Sequence, residues 1–273
     1  MDGVSGERYT YGDTELAAER LALVARVFEP ATRAFLERTA PPPPGLAYDL
    51  GCGPGLTTRL LRAAIGAVRA VGLDRSGPFL ERAAHGAPGG VTFRAHDVRE
   101  VPFPEGLADL IYCRLLLSHL VDAPALVARW ATQLAPGGLV LLDELEAIDT
   151  SDPVFRSYLD DVANPVVEAQ GARLLVGPVL AAMPDPPGLE RVADDVATFA
   201  PPATQSARIF GMNLAVLVAR DEVPARPALA ADLAAIAAGE RAAAPVVWRM
   251  RQIALRRSAV SGRSATGSAP GLG

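Results

Sequence analysis

The sequence predicts an α/β fold, an open and mostly parallel sheet with helices on both faces and an antiparallel edge. Three observations predict it. Short apolar runs alternate with helix-patterned segments between residues 46 and 142, and such alternation with short connections builds parallel sheets. The stretch "YDLGCGPGLTT" at 48–58 places three glycines at alternate positions between an apolar run and a helix. Beyond residue 150 the alternation stops, and two late strand-like runs occur among helical segments.

The chain has 273 residues, half of them hydrophobic, enough for one sizeable core. There is no lysine, so all 26 basic residues are arginine. A net charge of -5 argues against a nucleic-acid partner, which would want a basic face. The N-terminus "MDGVSGERYTYGDTELAAER" carries charge where a signal peptide needs an apolar stretch, and no run is long enough to span a bilayer. A cytoplasmic protein without a membrane partner is expected. Cys52 and Cys113 are the two cysteines, too few for a disulfide framework and without zinc-site partners.

Taken in order, "TELAAERLALVARVF" at 14–28 has helical spacing with Thr14 as its cap, and a second short helix, "EPATRAFLERTA", follows. "PPPPG" at 41–45 is extended and reads as a linker. Strand candidates are 46–50, 68–73, 91–94, 108–113 and 139–142, with helices in "TTRLLRAAIG", "GPFLERAAHG" and "APALVARWATQL". "PVFRSYLDDVANPVVEAQ" and "SARIFGMNLAVLVA" read as helices. "LERVADDVATFA" and "VVWRMRQIALRR" read as strands of an antiparallel edge, with two helices inserted between them. The glycine-rich tail "SAVSGRSATGSAPGLG" reads as disordered.

In open parallel sheets, ligands sit outside the carboxyl ends of the strands, where the first strand turns into its helix. Gly51, Gly53 and Gly55 fall there, and without Cβ atoms the main chain can touch a ligand. Asp74 follows about 20 residues later at the end of the second strand, where an acid accepts ribose hydroxyls. A nucleoside-type cofactor is implied, either NAD or S-adenosylmethionine.

These residues carry a resemblance. The segment from about 46 to 145 resembles the core of a class I S-adenosylmethionine-dependent methyltransferase. "DLGCGPG" is similar to that family's first motif, implying that Asp49 and the backbone at Gly51, Cys52 and Gly53 meet the methionine part of the cofactor. "GLDRS" resembles the second, implying Asp74 on the ribose with Arg75 beside it. "RAHDVRE" resembles the third, implying that Asp97 and the main chain at Val98 contact adenine. "DLIYCRLLLSHL" and "LAPGGLVLLDE" match the fourth motif and the turn and strand that follow. NAD sites more often show G-x-G-x-x-G, whereas this loop is G-x-G-x-G. The resemblance implies a Rossmann-like seven-stranded sheet with an N-terminal helical lid and helical insertions. Residues 1–40 would be the lid, 41–150 the S-adenosylmethionine-binding core, 151–257 the substrate-side helices with the last two strands, and 258–273 the tail.

The fourth strand lacks the Asn/Asp-Pro-Pro-aromatic run of amide and adenine-amino methyltransferases, and lacks the metal-binding aspartate of catechol-type enzymes, so no metal is expected. What remains resembles small-molecule enzymes of quinone and natural-product biosynthesis. "YTYGDTELAAERL" is similar to their lid helix, implying that Tyr11 and Arg20 close over the cofactor; a partly buried aromatic and a solvated helix charge are the plainer readings. Arg114 is a candidate for the cofactor's carboxylate, or for a structural ion pair.

Among three histidines, His85 caps a helix, His96 walls a pocket, and His119 lies on the substrate side, where a pKa near the ordinary value would suit a general base; a half-buried histidine bonded to a nearby carbonyl is the plainer reading. The five carboxylates of "DELEAIDTSD" read as a solvated loop, or as a wall for a cationic substrate with Glu144 nearest the site. Phe155, Tyr158, Phe210, Met212 and Asn213 are candidates to roof an apolar acceptor pocket, or are plain core. The expected activity is methyl transfer from S-adenosylmethionine to a small-molecule acceptor, by O-, N- or C-methylation, in secondary metabolism. The alternative is a cofactor-binding protein of the same fold that transfers no methyl, cyclase-like or a non-catalytic subunit.

Overall fold

The computed structural model describes residues 12–40 and 43–259. Tyr11 and nearly all of the tail lie outside these residues. Helix α1 (Glu15–Thr39) opens at Thr14, whose hydroxyl accepts the Ala17 N–H at 3.3 Å. The sequence suggests two helices here; the structure has one, running through Pro30. Pro30 and Arg26 are both exposed, so the carbonyl that proline leaves without its donor faces water. At the far end of α1, Phe35 and Leu36 have no exposed surface and pack against Ala47 and Tyr112 of the sheet. The inward face of the second half of α1, Thr32, Phe35 and Leu36, is therefore part of the core.

Five parallel strands follow: β1 (Leu46–Leu50), β2 (Arg69–Asp74), β3 (Val91–Ala95), β4 (Ala108–Arg114) and β5 (Leu134–Asp149). Helices α2 (Leu56–Ile65), α3 (Gly77–Ala84) and α4 (Ala123–Ala131) connect them, and a 3-10 turn at Leu117–His119 follows β4. Fully buried β1, reading "LAYDL", fits a strand covered on both faces. Strand β5 is longer than its apolar run suggests: it begins in a bulge opposite Ala108, takes Gly137 at φ +80°, and continues through the acidic segment to Asp149.

After β5 come α5 (Pro153–Tyr158), a π-helical turn (Leu159–Ala163), α6 (Asn164–Ala169), α7 (Gly177–Ala182) and β6 (Leu189–Phe199). Then α8 (Ala203–Ala219) and α9 (Pro227–Ala238) lead to β7 (Val247–Arg257), which pairs antiparallel with both β5 and β6. The sheet order is β3-β2-β1-β4-β5-β7-β6. The strand order reverses between β1 and β4, which opens a crevice at their carboxyl ends. Buried Trp130 and Tyr48 lie on one face of the sheet, in the same core as Leu142 and Ile253. Burying each such side chain contributes about 2–3 kcal/mol. Among the described residues, no helix is long and apolar enough to cross a membrane, and no group of three or more His, Cys, Asp or Glu could hold a metal ion.

Candidate functional site

The crevice holds a cavity of about 1110 Å³, floored by the loop between β1 and α2. Gly51, Gly53 and Gly55 all take left-handed φ, at +65°, +50° and +78°. Two of them also make room for packing. A Cβ on Gly51 would stand 2.7 Å from Leu116 Cδ1, and one on Gly55 would stand 2.5 Å from the Phe93 ring. Gly53 is different: its nearest neighbour would be Leu21 Cδ1 at 3.5 Å, so its backbone faces the cavity.

Acids hold the loop in place. Asp49 is buried beneath it and accepts the Thr57 and Thr58 hydroxyls at 2.6 and 2.7 Å. Burial pushes its carboxyl up to about 6, against those two bonds. Asp74 accepts the Gly53 N–H at 2.8 Å and the Ser76 N–H at 2.9 Å, and burial raises its pKa as well. At the rim, Arg99 holds Asp97 at about 2, with Arg75 at 3.4 Å. The Val98 carbonyl accepts the Trp130 indole N–H at 2.7 Å.

The other end of the cavity is apolar. Phe28, Tyr158, Phe210 and Trp248 wall it, with Tyr158 stacked on Phe210 at 4.4 Å. A polar chain enters this wall: Arg20 donates to Asn213 Oδ1 at 2.8 Å, and Asn213 Nδ2 donates to the Tyr158 hydroxyl at 2.8 Å. Arg114, also in the wall, donates to Thr32 Oγ1 at 3.2 Å, and Thr32 donates to buried Asp143 at 2.7 Å. His119 is half-buried in the lining of the cavity, and burial with the charge of Arg20 lowers its pKa to about 4.

Residues 47–138 match the family model described as a methyltransferase domain. The chain is 34% identical over 168 residues to a trans-aconitate 2-methyltransferase of Methylobacterium radiotolerans, covering 60% of this chain and 58% of that one. To the enzyme of the same name from Delftia acidovorans it is 31% identical over 175 residues, covering 58% and 65%. The match thus spans less than two thirds of either relative's length. Among solved structures, phosphoethanolamine N-methyltransferase 2 of Haemonchus contortus superposes with a TM-score of 0.56 at 17% identity, over 93% of this chain and 61% of that one. The [4+2]-cyclase SpnF superposes with a TM-score of 0.51 at 20% identity, over 85% and 82%. The fold is that of a class I S-adenosylmethionine-dependent methyltransferase.

In this class I fold, the structure brings Gly51, Cys52, Gly53, Asp74, Arg75, Asp97 and Val98 together on one side of the cavity, and Arg20, Arg114 and His119 line it as well. Asp49 is not in the wall; it lies under the loop. Cys52 contributes backbone, while burial pushes its thiol well up. The expectation that His119 has a pKa suited to base work is revised, because a cation and burial both oppose its protonation. The acidic segment is neither a solvated loop nor a wall. Asp143 and Glu144 are fully buried strand residues, Glu146 pairs with Arg251, Asp149 with Arg249, and Asp152 caps α5. Of the suggested roof, Tyr158, Phe210 and Asn213 line the cavity, Phe155 packs behind Phe210 at 5.6 Å, and Met212 faces a groove between α8 and α9. Phe28 and Trp248 escaped the sequence reading. Each sits in a segment read for its helix or strand pattern, and long-range folding alone brings them 5.3 Å apart.

Proposed function

We propose that this chain transfers the methyl group of S-adenosylmethionine to a small acceptor with a largely apolar body, by O-, N- or C-methylation in secondary metabolism. The observation that carries this reading is a single cavity with two chemically different ends, Asp74 and open Gly53 backbone at one and the aromatic wall at the other. The residues fit the cofactor. Asp74 accepts the backbone N–H groups of Gly53, Ser76 and Arg75, and a carboxylate offers about four lone-pair sites, which leaves room for a ribose hydroxyl. The Arg114 guanidinium suits the carboxylate of a methionine moiety, and Asp97 with Val98 border the region suited to adenine.

Bound there, the cofactor supplies a methyl group on a sulfonium, with a neutral thioether as leaving group. The chain's own part is orientation and exclusion of water. The aromatic wall takes the acceptor's apolar body, and the Arg20–Asn213–Tyr158 chain offers its polar group fixed hydrogen-bonding partners. His119, in the cavity lining, is neutral at physiological pH and is not a strong base. The trans-aconitate named in the relatives is a tricarboxylic acid, whereas the aromatic part of this wall favours an acceptor with more apolar surface.

The test is a thermal-shift assay followed by turnover. S-adenosylhomocysteine at a hundredfold excess over its Kd should stabilise by about 2.7 kcal/mol, worth several degrees, while NAD should not. Incubation with S-adenosylmethionine and fractionated metabolite extract should then release S-adenosylhomocysteine. A shift with NAD alone overturns the reading. Binding without release from any fraction favours a cyclase-like or non-catalytic role.

A further inference from the structure

Glu144 has no exposed surface and sits beneath the turn that follows β4. Its Oε1 accepts the backbone N–H of Leu116 at 2.9 Å and of Leu117 at 3.0 Å, and the Cys113 thiol at 3.4 Å. Its Oε2 has no hydrogen-bond partner among the described residues. The turn is shaped for this grip. Leu115 is held at φ +52°, a strained value for leucine, and Leu116 follows in the right-handed region at φ -110°, ψ -44°. That succession aims consecutive N–H groups at a common point, a concavity suited to an anionic oxygen.

The turn touches the cofactor loop directly. Leu116 Cδ1 occupies the space where a Gly51 Cβ would stand, and Leu115, Ser118 and His119 line the cavity. We propose that Glu144 is a positioning residue for the cofactor loop: its carboxylate seats the 115–119 turn, and Leu116 in turn seats Gly51. The inference rests on the reading that this cavity binds S-adenosylmethionine.

The seating is pH-dependent. Burial pushes the Glu144 carboxyl up to about 7, with nearby Asp143 adding to the rise and the two N–H groups and the thiol opposing it. The charged and titratable groups around it are Cys113 from β4, Asp143 from its own strand, and Arg251 opposite on β7, whose guanidinium is held by Glu146 and Asp194. His119, in the turn itself, is neutral above about 4. When ionised, Glu144 makes charge-assisted bonds to both N–H groups, roughly twice as strong as neutral ones. Relative to a state in which the turn has lifted while Glu144 stays buried, the grip therefore tightens as pH rises through about 7, although ionisation costs the fold as a whole.

The experiment measures S-adenosylhomocysteine affinity calorimetrically at pH 6, 7 and 8 for the full chain, for Glu144→Gln and for Glu144→Ala. Amide-exchange protection at Leu116 and Leu117 is followed in parallel. Wild-type affinity should rise severalfold from pH 6 to 8. Glu144→Gln keeps an acceptor oxygen but cannot ionise, so its affinity should be flatter. Glu144→Ala should bind about tenfold more weakly at pH 8, with protection lost at both amides. A wild-type slope retained in Glu144→Gln overturns the proposal and assigns the titration elsewhere, Asp49 being nearest in range. Unchanged affinity in a folded Glu144→Ala overturns it too, and if that variant does not fold, the Glu144→Gln slope decides. If the wild type binds no S-adenosylhomocysteine, the cofactor reading falls, and the seating of the turn stands or falls on whether protection at Leu116 and Leu117 tracks ionisation of Glu144.

Discussion

The Gly53 N–H donates to Asp74 Oδ2 at 2.8 Å, so the cavity-facing turn of the glycine loop is fastened to the end of the neighbouring strand. Asp74→Ala should therefore do two things, removing the acceptor for ribose hydroxyls and releasing the loop. Each charge-assisted bond is worth about 1.5–3 kcal/mol, so S-adenosylhomocysteine affinity should fall by tenfold or more while circular dichroism is retained. Equal affinity in a calorimetric titration would mean that the ribose is held elsewhere.

Two glycines of the loop should respond differently to alanine. Gly51→Ala combines left-handed strain of about 1–2 kcal/mol with a methyl pressed on Leu116, and should lower Tm with or without ligand. Gly53→Ala has the strain but meets only Leu21, at ordinary contact distance. Its methyl enters the cavity, so ligand affinity should drop more than stability. If both variants lose only stability, the cavity is not where the cofactor lies.

Acid titration should show an unusual sign. Glu144 and Asp49 have folded-state pKa values of about 7 and 6, above their ordinary 4.5 and 3.8. The folded chain binds more protons than the unfolded chain between those limits, so their contribution to stability falls as pH rises from about 4 to 7. For Glu144 the full effect is up to roughly 3 kcal/mol. Asp97, held at about 2 by Arg99, runs the other way and loses its contribution only in stronger acid. Urea midpoints at pH 5 and 8 should differ less in Glu144→Gln than in the wild type, and equal differences would assign the slope to other groups.

His119 should not shape the pH-rate profile. With a pKa of about 4 it stays neutral across the working range, so His119→Asn should keep kcat within about tenfold and show the same profile. A loss of a hundredfold or more that recovers at high pH would restore His119 as the proton acceptor.

The strands, the glycine loop and Asp74 were legible because each depends on local pattern: an apolar run, a backbone that needs missing Cβ atoms, an acid at a strand end. What escaped depends on residues far away in the chain. The continuity of α1 rests on Pro30 falling on the solvent side. The acidic segment looked like a loop because Asp143 can be buried only with partners from other elements, Thr32 of α1, Tyr112 of β4 and Gln252 of β7. The weak basicity of His119 comes from burial first and from Arg20 second, and no spacing rule reveals either.

Phe35 makes the status of α1 measurable. It has no exposed surface, so Phe35→Ala should cost about 3–5 kcal/mol of stability by urea unfolding. A cost below 1 kcal/mol would mean that the helix end is dispensable, and removal of residues 1–40 would then leave the sheet intact.

A helix of 25 residues reaches about 37 Å at 1.5 Å per residue. Arg20, Leu21 and Val24 border the cavity from one end of it, and Phe35 and Leu36 are embedded at the other. The helix acts as a strut. It cannot swing outward as a unit without pulling two large side chains from the core. Ligand traffic past this wall falls to rotamer changes along its upper turns and to the elements beside it, while the jamb of the doorway stays fixed.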